Sequence, residues 1–186
     1  NLQTWEFFWV RDPEKKKKLV KYCFSQPAAK TAQELVVAVA RPDRWNEIND
    51  LMLAKFDEKK KIRLKAAYQY YSSIVPKAYN MGPFGIYGPF KQLYVWYKGL
   101  RRPMPRGPFS LSGMRLWAQK STALACQNFM LAIRAHGFDS CPMEGMDAKR
   151  VKALLNLSKG ASICMVISVG KRSETGVYGP RVRFDQ

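Results

Sequence analysis

The stretch of this 186-residue sequence best suited to chemistry is His136-Gly137-Phe138-Asp139-Ser140-Cys141-Pro142-Met143-Glu144-Gly145-Met146-Asp147. Gly137 has no Cβ and can take the left-handed conformation that stops a helix. Asp147 can cap a following helix by accepting from its first backbone N–H groups. Between them Pro142 removes one donor and fixes its own φ, and Gly145 lets a ligand approach the backbone closely. A short rigid connector of this kind leaves amides unpaired, which suits the flat, acceptor-rich edge of a ligand. Pro-x-Glu-Gly is only four residues, however, and such a run is also an ordinary turn. A second candidate is Arg181-Val182-Arg183. On an extended segment, cations at i and i+2 point to one side and can grip a single phosphate. Lys171 and Arg172 offer the same chemistry.

The single histidine, His136, is too few for a His-based metal site and reads as a cation near a helix C-terminus. Cys23, Cys126, Cys141 and Cys164 lack the close paired spacing of a zinc motif and sit in apolar surroundings, so reduced thiols in a cytosol are expected. Thirty-two Lys and Arg against 14 Asp and Glu give a net charge of +18. Such a field attracts nucleic acid, acidic membrane or phosphate cofactors without choosing among them. Hydrophobic residues at 47% and aromatics at 13% are globular values that argue against disorder. The length suits one domain with a real core.

The elements that must position these groups follow from periodicity. Thr4 to Val10 alternates and is aromatic-rich, as a strand is; Arg11-Asp12-Pro13 turns it into a short basic helix, Glu14 to Tyr22. Leu35 to Ala40 and Ile163 to Gly170 are continuous apolar runs, the pattern of strands buried on both faces. Arg41 to Ser73 reads as helical, with Asp57-Glu58-Lys59-Lys60-Lys61 a solvated surface. Leu116 to Ala135 is a helix apolar nearly all round, which needs partners on every side. Its Ala118, Ser121, Ala125 and Ala132 would permit close helix approach. Ala148 to Leu157 is a further helix.

The run Leu131 to Asp147 resembles the Pro-x-Glu-Gly segment of the FMN-dependent nitroreductase family. Asn1-Leu2-Gln3-Thr4-Trp5 is similar to the family's front motif Asn-x-Gln-Pro-Trp, with Thr4 in place of proline. Arg181-Val182-Arg183 is similar to its rear Lys/Arg-x-Arg, so three motifs stand in the family's order. The resemblance implies an α+β, nitroreductase-like fold: a mixed, mainly antiparallel sheet wrapped by helices, over a single domain of residues 1–186. It implies a dimer centred on the helix ending at Ala135, with two FMN sites at the subunit interface. Pro142, Met143, Glu144 and Gly145 would lie along the flavin, the Glu144 N–H meeting flavin N5. Arg181 and Arg183 would bind the phosphate, and Asn1 and Gln3 would reach the site from one subunit. Gln26, or its neighbour Ser25, would meet the ring edge, although Gln26 is equally a turn residue before Pro27. The implied reaction is ping-pong, from NADH or NADPH to a nitroaromatic, quinone or similar acceptor. Because the flavin carries the chemistry, no side chain is assigned a catalytic role, and no metal is called for. Family members also carry an earlier helix with an Arg-Ser-x-Arg-like segment on the phosphate; the expectation is that this sequence is a trimmed piece.

Met81 to Phe109 is rich in Gly, Pro and aromatics, and Pro, Lys91 and Lys98 break it too often for a transmembrane helix. The family places a variable insertion over the flavin here. We therefore expect an irregular lid at about residues 55–115, with Phe84, Tyr87, Phe90 and Trp96 facing a planar acceptor. The same aromatics beside Arg101, Arg102 and Arg106 would also suit weak contact with an anionic membrane. The expected setting is cytoplasmic or peripheral to a membrane, with no specific nucleic-acid partner. Two rivals stand beside this reading. A non-enzymatic basic module binding nucleic acid or anionic membrane accounts for the charge but leaves three ordered motifs to coincidence. Another flavin reaction on the same fold, dehalogenation or dehydrogenation, would differ only in the lid.

Overall fold

Residues 2–58, 65–174, 176, 179, 180, 182 and 184 are described by a computed structural model. In chain order the elements are β1 (Trp5–Trp9), α1 (Pro13–Tyr22), α2 (Pro27–Lys30), β2 (Glu34–Ala40), α3 (Trp45–Glu58), α4 (Lys65–Gln69), α5 (Val75–Tyr79), α6 (Tyr87–Gly99), α7 (Leu111–Ala135), β3 (Asp139–Met143), α8 (Ala148–Leu154) and β4 (Ser162–Gly170). The strands form one sheet in the order β1-β2-β4-β3. Its inner strands are the two apolar runs of the sequence: β2 is buried from Leu35 to Ala40, and β4 at Ile163 and from Met165 to Ser168. An alternating strand can face water on one side; these cannot. β3 runs antiparallel to β4, from Asp139 opposite Gly170 to Met143 opposite Val166. β1 and β2 are also antiparallel, because the Val10 N–H donates to the Leu35 carbonyl (3.0 Å) and the Arg41 N–H to the Thr4 carbonyl (2.8 Å). The α+β class implied by the sequence is the one observed.

The chain divides into two compact units, Asn1–Glu6, Val39–Ala123 and Leu157–Ser162 in the first and Phe7–Ala38, Leu124–Asn156 and Ile163–Gln186 in the second. In the first unit Leu2, Tyr71 and Val75 are buried under Trp45, Ile48, Met52, Leu53, Phe56 and Tyr79. The α3 members of that set recur at helical spacing, as one apolar stripe must. Tyr71 reaches the cluster from a π-helical turn, Tyr70–Ile74. Around it Glu6 pairs with both Arg41 and Arg44, and Arg41 pairs with Asp43 at 3.0 Å. Ser158 donates to Asp43 at 2.5 Å. Burial alone would raise the Asp43 carboxyl, but the bonds from Arg41 and Ser158 hold it below the usual carboxylate range.

The region expected to be an irregular lid contains a regular helix, α6. Pro89 does not prevent it, since it stands in the first turn, where a backbone N–H has no acceptor inside the helix. Gly88 is the position that seats α6: a Cβ there would stand 1.9 Å from the Phe109 carbonyl oxygen.

Helix α7 begins at Leu111, five positions earlier than the apolar run suggested. It buries Met114, Ala118, Thr122 and Cys126, four residues apart, while Leu116, Leu124 and Leu131 stay exposed. Ala118, expected to meet another helix, therefore faces its own chain. Gly137 ends α7 as anticipated, at φ 80°, with the Phe138 N–H returning to the Ile133 carbonyl at 3.1 Å. Asp147 caps α8 by accepting from the Arg150 N–H at 3.1 Å. Between these caps the structure corrects the sequence reading. Residues 139–143 are a strand rather than a loop, and Pro142 is tolerated because β3 is an edge strand.

The seating of α6 can be checked. The new methyl group would meet backbone rather than the end of a flexible side chain, so G88A should lower stability by about 1–3 kcal/mol. Thermal unfolding should show a reduced Tm, and an unchanged Tm would mean that α6 does not rest on Phe109.

Candidate functional site

The expected binding residues of the second unit come together where α1 ends. The α1 C-terminus turns sharply, with the Ser25 N–H bonded to the Val20 carbonyl at 3.0 Å. Phe24 and Ser25 both take left-handed backbone conformations, φ 55° and 52°. Side chains with a Cβ rarely adopt that region, and two in succession are kept only where the surroundings over-determine them. The turn delivers Gln26 to the 142–147 segment. Its Nε2 donates to the Gly145 carbonyl at 3.0 Å and to the Cys23 carbonyl at 3.1 Å. Both partners are acceptors, which fixes the amide orientation and leaves Oε1 as the acceptor of the group. A second tie lies two residues on, where the Asp147 N–H donates to the Tyr22 carbonyl at 2.8 Å.

The segment so held has one buried anchor and an open backbone. Met143 is buried, whereas Pro142, Glu144 and Gly145 are exposed. Among the described residues, no hydrogen bond is made by the Glu144 or Gly145 N–H. Space is open beside Gly145 too: a Cβ there would meet only the Gln26 Nε2, at 3.9 Å. An unpaired donor pair on an exposed, doubly tethered backbone can bind the acceptor edge of a flat ligand. In the same unit Cys126 and Cys164 share a hydrogen bond. That bond and burial push Cys126 up, and the same bond holds Cys164 down against burial and the Glu144 charge. All four cysteines are reduced.

Other expected site residues are placed differently. Gln3 lies in the first unit, exposed, at φ 51°. Asn1, Arg181 and Arg183 lie outside the described residues. Of the alternates to the arginine pair, Lys171 and Arg172 are exposed after β4, and the Arg172 N–H donates to Asp139 at 3.3 Å. The four aromatics expected over an acceptor belong to the first unit and point outward: Phe84 is 98% exposed and Phe90 72%, with Tyr87 and Trp96 also exposed. Only Tyr87 packs back, its ring beside Gly82.

Sequence reasoning missed a cavity of about 250 Å³ in the first unit, lined by Trp45, Tyr79, Met81, Leu111, Met114 and Arg115. Tyr79 stacks on Trp117 at 5.2 Å, and burial pushes its hydroxyl up to about 12. These residues lie far apart in sequence, so no local pattern marks them. The Gln26–Gly145 bond was missed for the same reason; only the turn before Pro27 signalled it.

Comparison with known proteins gives these features a family. Residues 1–171 match the model of the Nitroreductase family. Protein DrgA of Synechocystis sp. is 26% identical over 174 residues, 94% of this chain; the match spans 66% of DrgA. The NADH dehydrogenase of Thermus thermophilus is 25% identical over 186 residues, the whole of this chain and 75% of that protein. In fold, the chain is similar to a nitroreductase-type protein of Exiguobacterium sibiricum solved in complex with FMN, with a TM-score of 0.69 and 18% identity. That likeness covers 99% of this chain and 74% of the other. With a family match over residues 1–171, most of its length, the chain belongs to the nitroreductase family.

Proposed function

We propose that this chain is an FMN-dependent oxidoreductase whose flavin lies along residues 142–145. The observation that carries the reading is the pair of unbonded amides at Glu144 and Gly145, on a backbone that Gln26 and Tyr22 hold in place. These residues fit a flavin: the ring edge offers acceptors to the two N–H groups and a donor to the Gln26 Oε1. Ser25 stands beside Gln26 at the same edge. Met143, which is buried, keeps the segment seated, and Pro142 precedes it in the edge strand. Arg181 and Arg183 would take the phosphate by charge-assisted bonds. Asn1 and Gln3 would complete the site from the second subunit of a homodimer. The chemistry such a cofactor supplies is hydride uptake from NADH or NADPH, followed in a separate half-reaction by electron transfer to a nitroaromatic, quinone or similar acceptor. The protein's part is to bind, orient and polarise, which the amides and cations perform without a side-chain acid or base.

The reading is tested first by cofactor affinity. Each charge-assisted bond to the phosphate contributes about 1.5–3 kcal/mol, so R181A/R183A should weaken FMN binding on the order of a hundredfold or more. Riboflavin, which has no phosphate, should bind both proteins nearly alike. FMN-loaded wild-type protein should oxidise NADH or NADPH when a quinone is supplied. Failure of the protein to bind FMN at all would overturn the reading, and equal loss of both ligands would remove the phosphate role.

Dimerisation has its own support. The exposed side of α7 carries Leu124 and Leu131, two turns apart, on the helix expected at the dimer centre. L124R/L131R would place unpaired charges in that contact. Light scattering should report a monomer, with FMN binding lost at the same time. A folded monomeric variant that still binds FMN would refute a shared site.

A further inference from the structure

Helix α6 turns its apolar residues away from the fold. Its partly or fully buried positions are Gly88, Lys91, Val95 and Gly99, three or four residues apart. Two have no side chain, and the Lys91 Nζ is engaged with the Ala78 and Asn80 carbonyls at 3.2 and 2.5 Å. The outward stripe is Phe90, Leu93, Tyr94 and Tyr97, at i, i+3, i+4 and i+7, each 52–72% exposed. Trp96 flanks the stripe and Leu100 extends it, both more than half exposed. This is an amphipathic helix facing the opposite way from one that packs on its own core, and a contiguous patch of this kind marks an interaction surface.

Charge says what covers it. Residues 59–138 contain 14 Lys and Arg and no Asp or Glu. Lys98, Arg101, Arg102 and Arg106 stand exposed at the C-terminal end of the stripe. A second copy of the chain laid on this face would bring like cations together with no carboxylate on α6 to pair them. A surface of phosphate headgroups over hydrocarbon satisfies both halves at once. Among the described residues no helix is long and apolar enough to cross a membrane. The 13 residues of α6 extend about 20 Å, which suits a helix lying in the plane of the surface.

We propose that α6 docks the protein on an anionic lipid bilayer, with Phe90 and Leu93 below the headgroups and Arg101 and Arg102 on lipid phosphates. Tyr94, Trp96 and Tyr97 take the headgroup level, where rings with one polar edge are favoured. The inference does not depend on the flavin reading, because it uses neither residues 142–145 nor the reaction.

Two surface variants test it, both at exposed positions where folding is not at stake. R101Q/R102Q removes charge, and F90S/L93S keeps the charge and removes the apolar stripe. Sedimentation with vesicles of phosphatidylcholine mixed with phosphatidylglycerol should bind the wild type, weakening as salt rises; pure phosphatidylcholine should bind far less. An adjacent cation contributes about fivefold to such binding, so R101Q/R102Q should lose about thirtyfold. F90S/L93S should lose binding as well, although its net charge is unchanged. No binding to the mixed vesicles, or binding that F90S/L93S leaves intact, would overturn the proposal. So would a change in the mass of the protein alone in F90S/L93S, which would make the stripe a contact between copies. Retention of duplex DNA that only R101Q/R102Q abolishes, without vesicle binding, would assign the patch to nucleic acid and overturn it equally.

Discussion

The bond from the Gln26 amide to the Gly145 carbonyl joins positions 119 residues apart, and the candidate site depends on it. A backbone that is to offer N–H groups to a ligand must have its opposite side engaged, or it collapses onto whatever acceptor is near. Here the carbonyl of Gly145 takes one side-chain donor, and the N–H of Asp147 is taken by Tyr22. What remains unbonded, on exposed residues, is the pair of amides at 144 and 145. Preorganised donors of this kind need no rearrangement when a ligand arrives, which is how fixed dipoles outperform water. The left-handed turn at Phe24 and Ser25 has its explanation in the same bond. It brings Gln26 to the loop, and among the described residues two of the five positive-φ residues other than glycine are the two just before it.

The inner sheet explains why the loop can be held so firmly. β2 leads out of the α1–Gln26 turn and α2, and β4 carries β3, the strand that runs straight into Glu144. Both inner strands are apolar almost throughout and buried, so their registers are fixed. Position along a buried strand cannot slip by one residue without reversing every side chain. The edge strand inherits that register, and Met143, opposite Val166, is its last buried residue.

Much of this was legible in the sequence. Continuous Val, Ile and Ala runs marked β2 and β4, Gly137 marked the end of α7, and Asp147 marked the cap of α8. These are local rules with one physical cause each. The order of three short motifs gave the family. What was not legible came from longer range. Residues 139–143 looked like a connector because Asp139 and Pro142 have poor strand propensity, and only the edge position in the sheet permits the proline there. The helix within 81–109 was hidden by Gly and Pro that proved to stand at a close contact and in a first turn. The sequence left open whether the aromatics of α6 face inward or outward, since a hydrophobic stripe alone does not say which side the fold takes. Arg181 and Arg183, read from their spacing and from the rear motif, lie outside the described residues.

The central claim, that the 144–145 amides are held ready for a flavin edge, is tested most directly by amide hydrogen exchange at single-residue resolution. The same protein would be compared with and without saturating FMN. The account predicts fast exchange at Glu144 and Gly145 in the protein alone, strong slowing at both when FMN is bound, and little change at Asp147, already bonded to Tyr22. Unchanged exchange at Glu144 and Gly145 while FMN is demonstrably bound would place the flavin elsewhere and contradict the account.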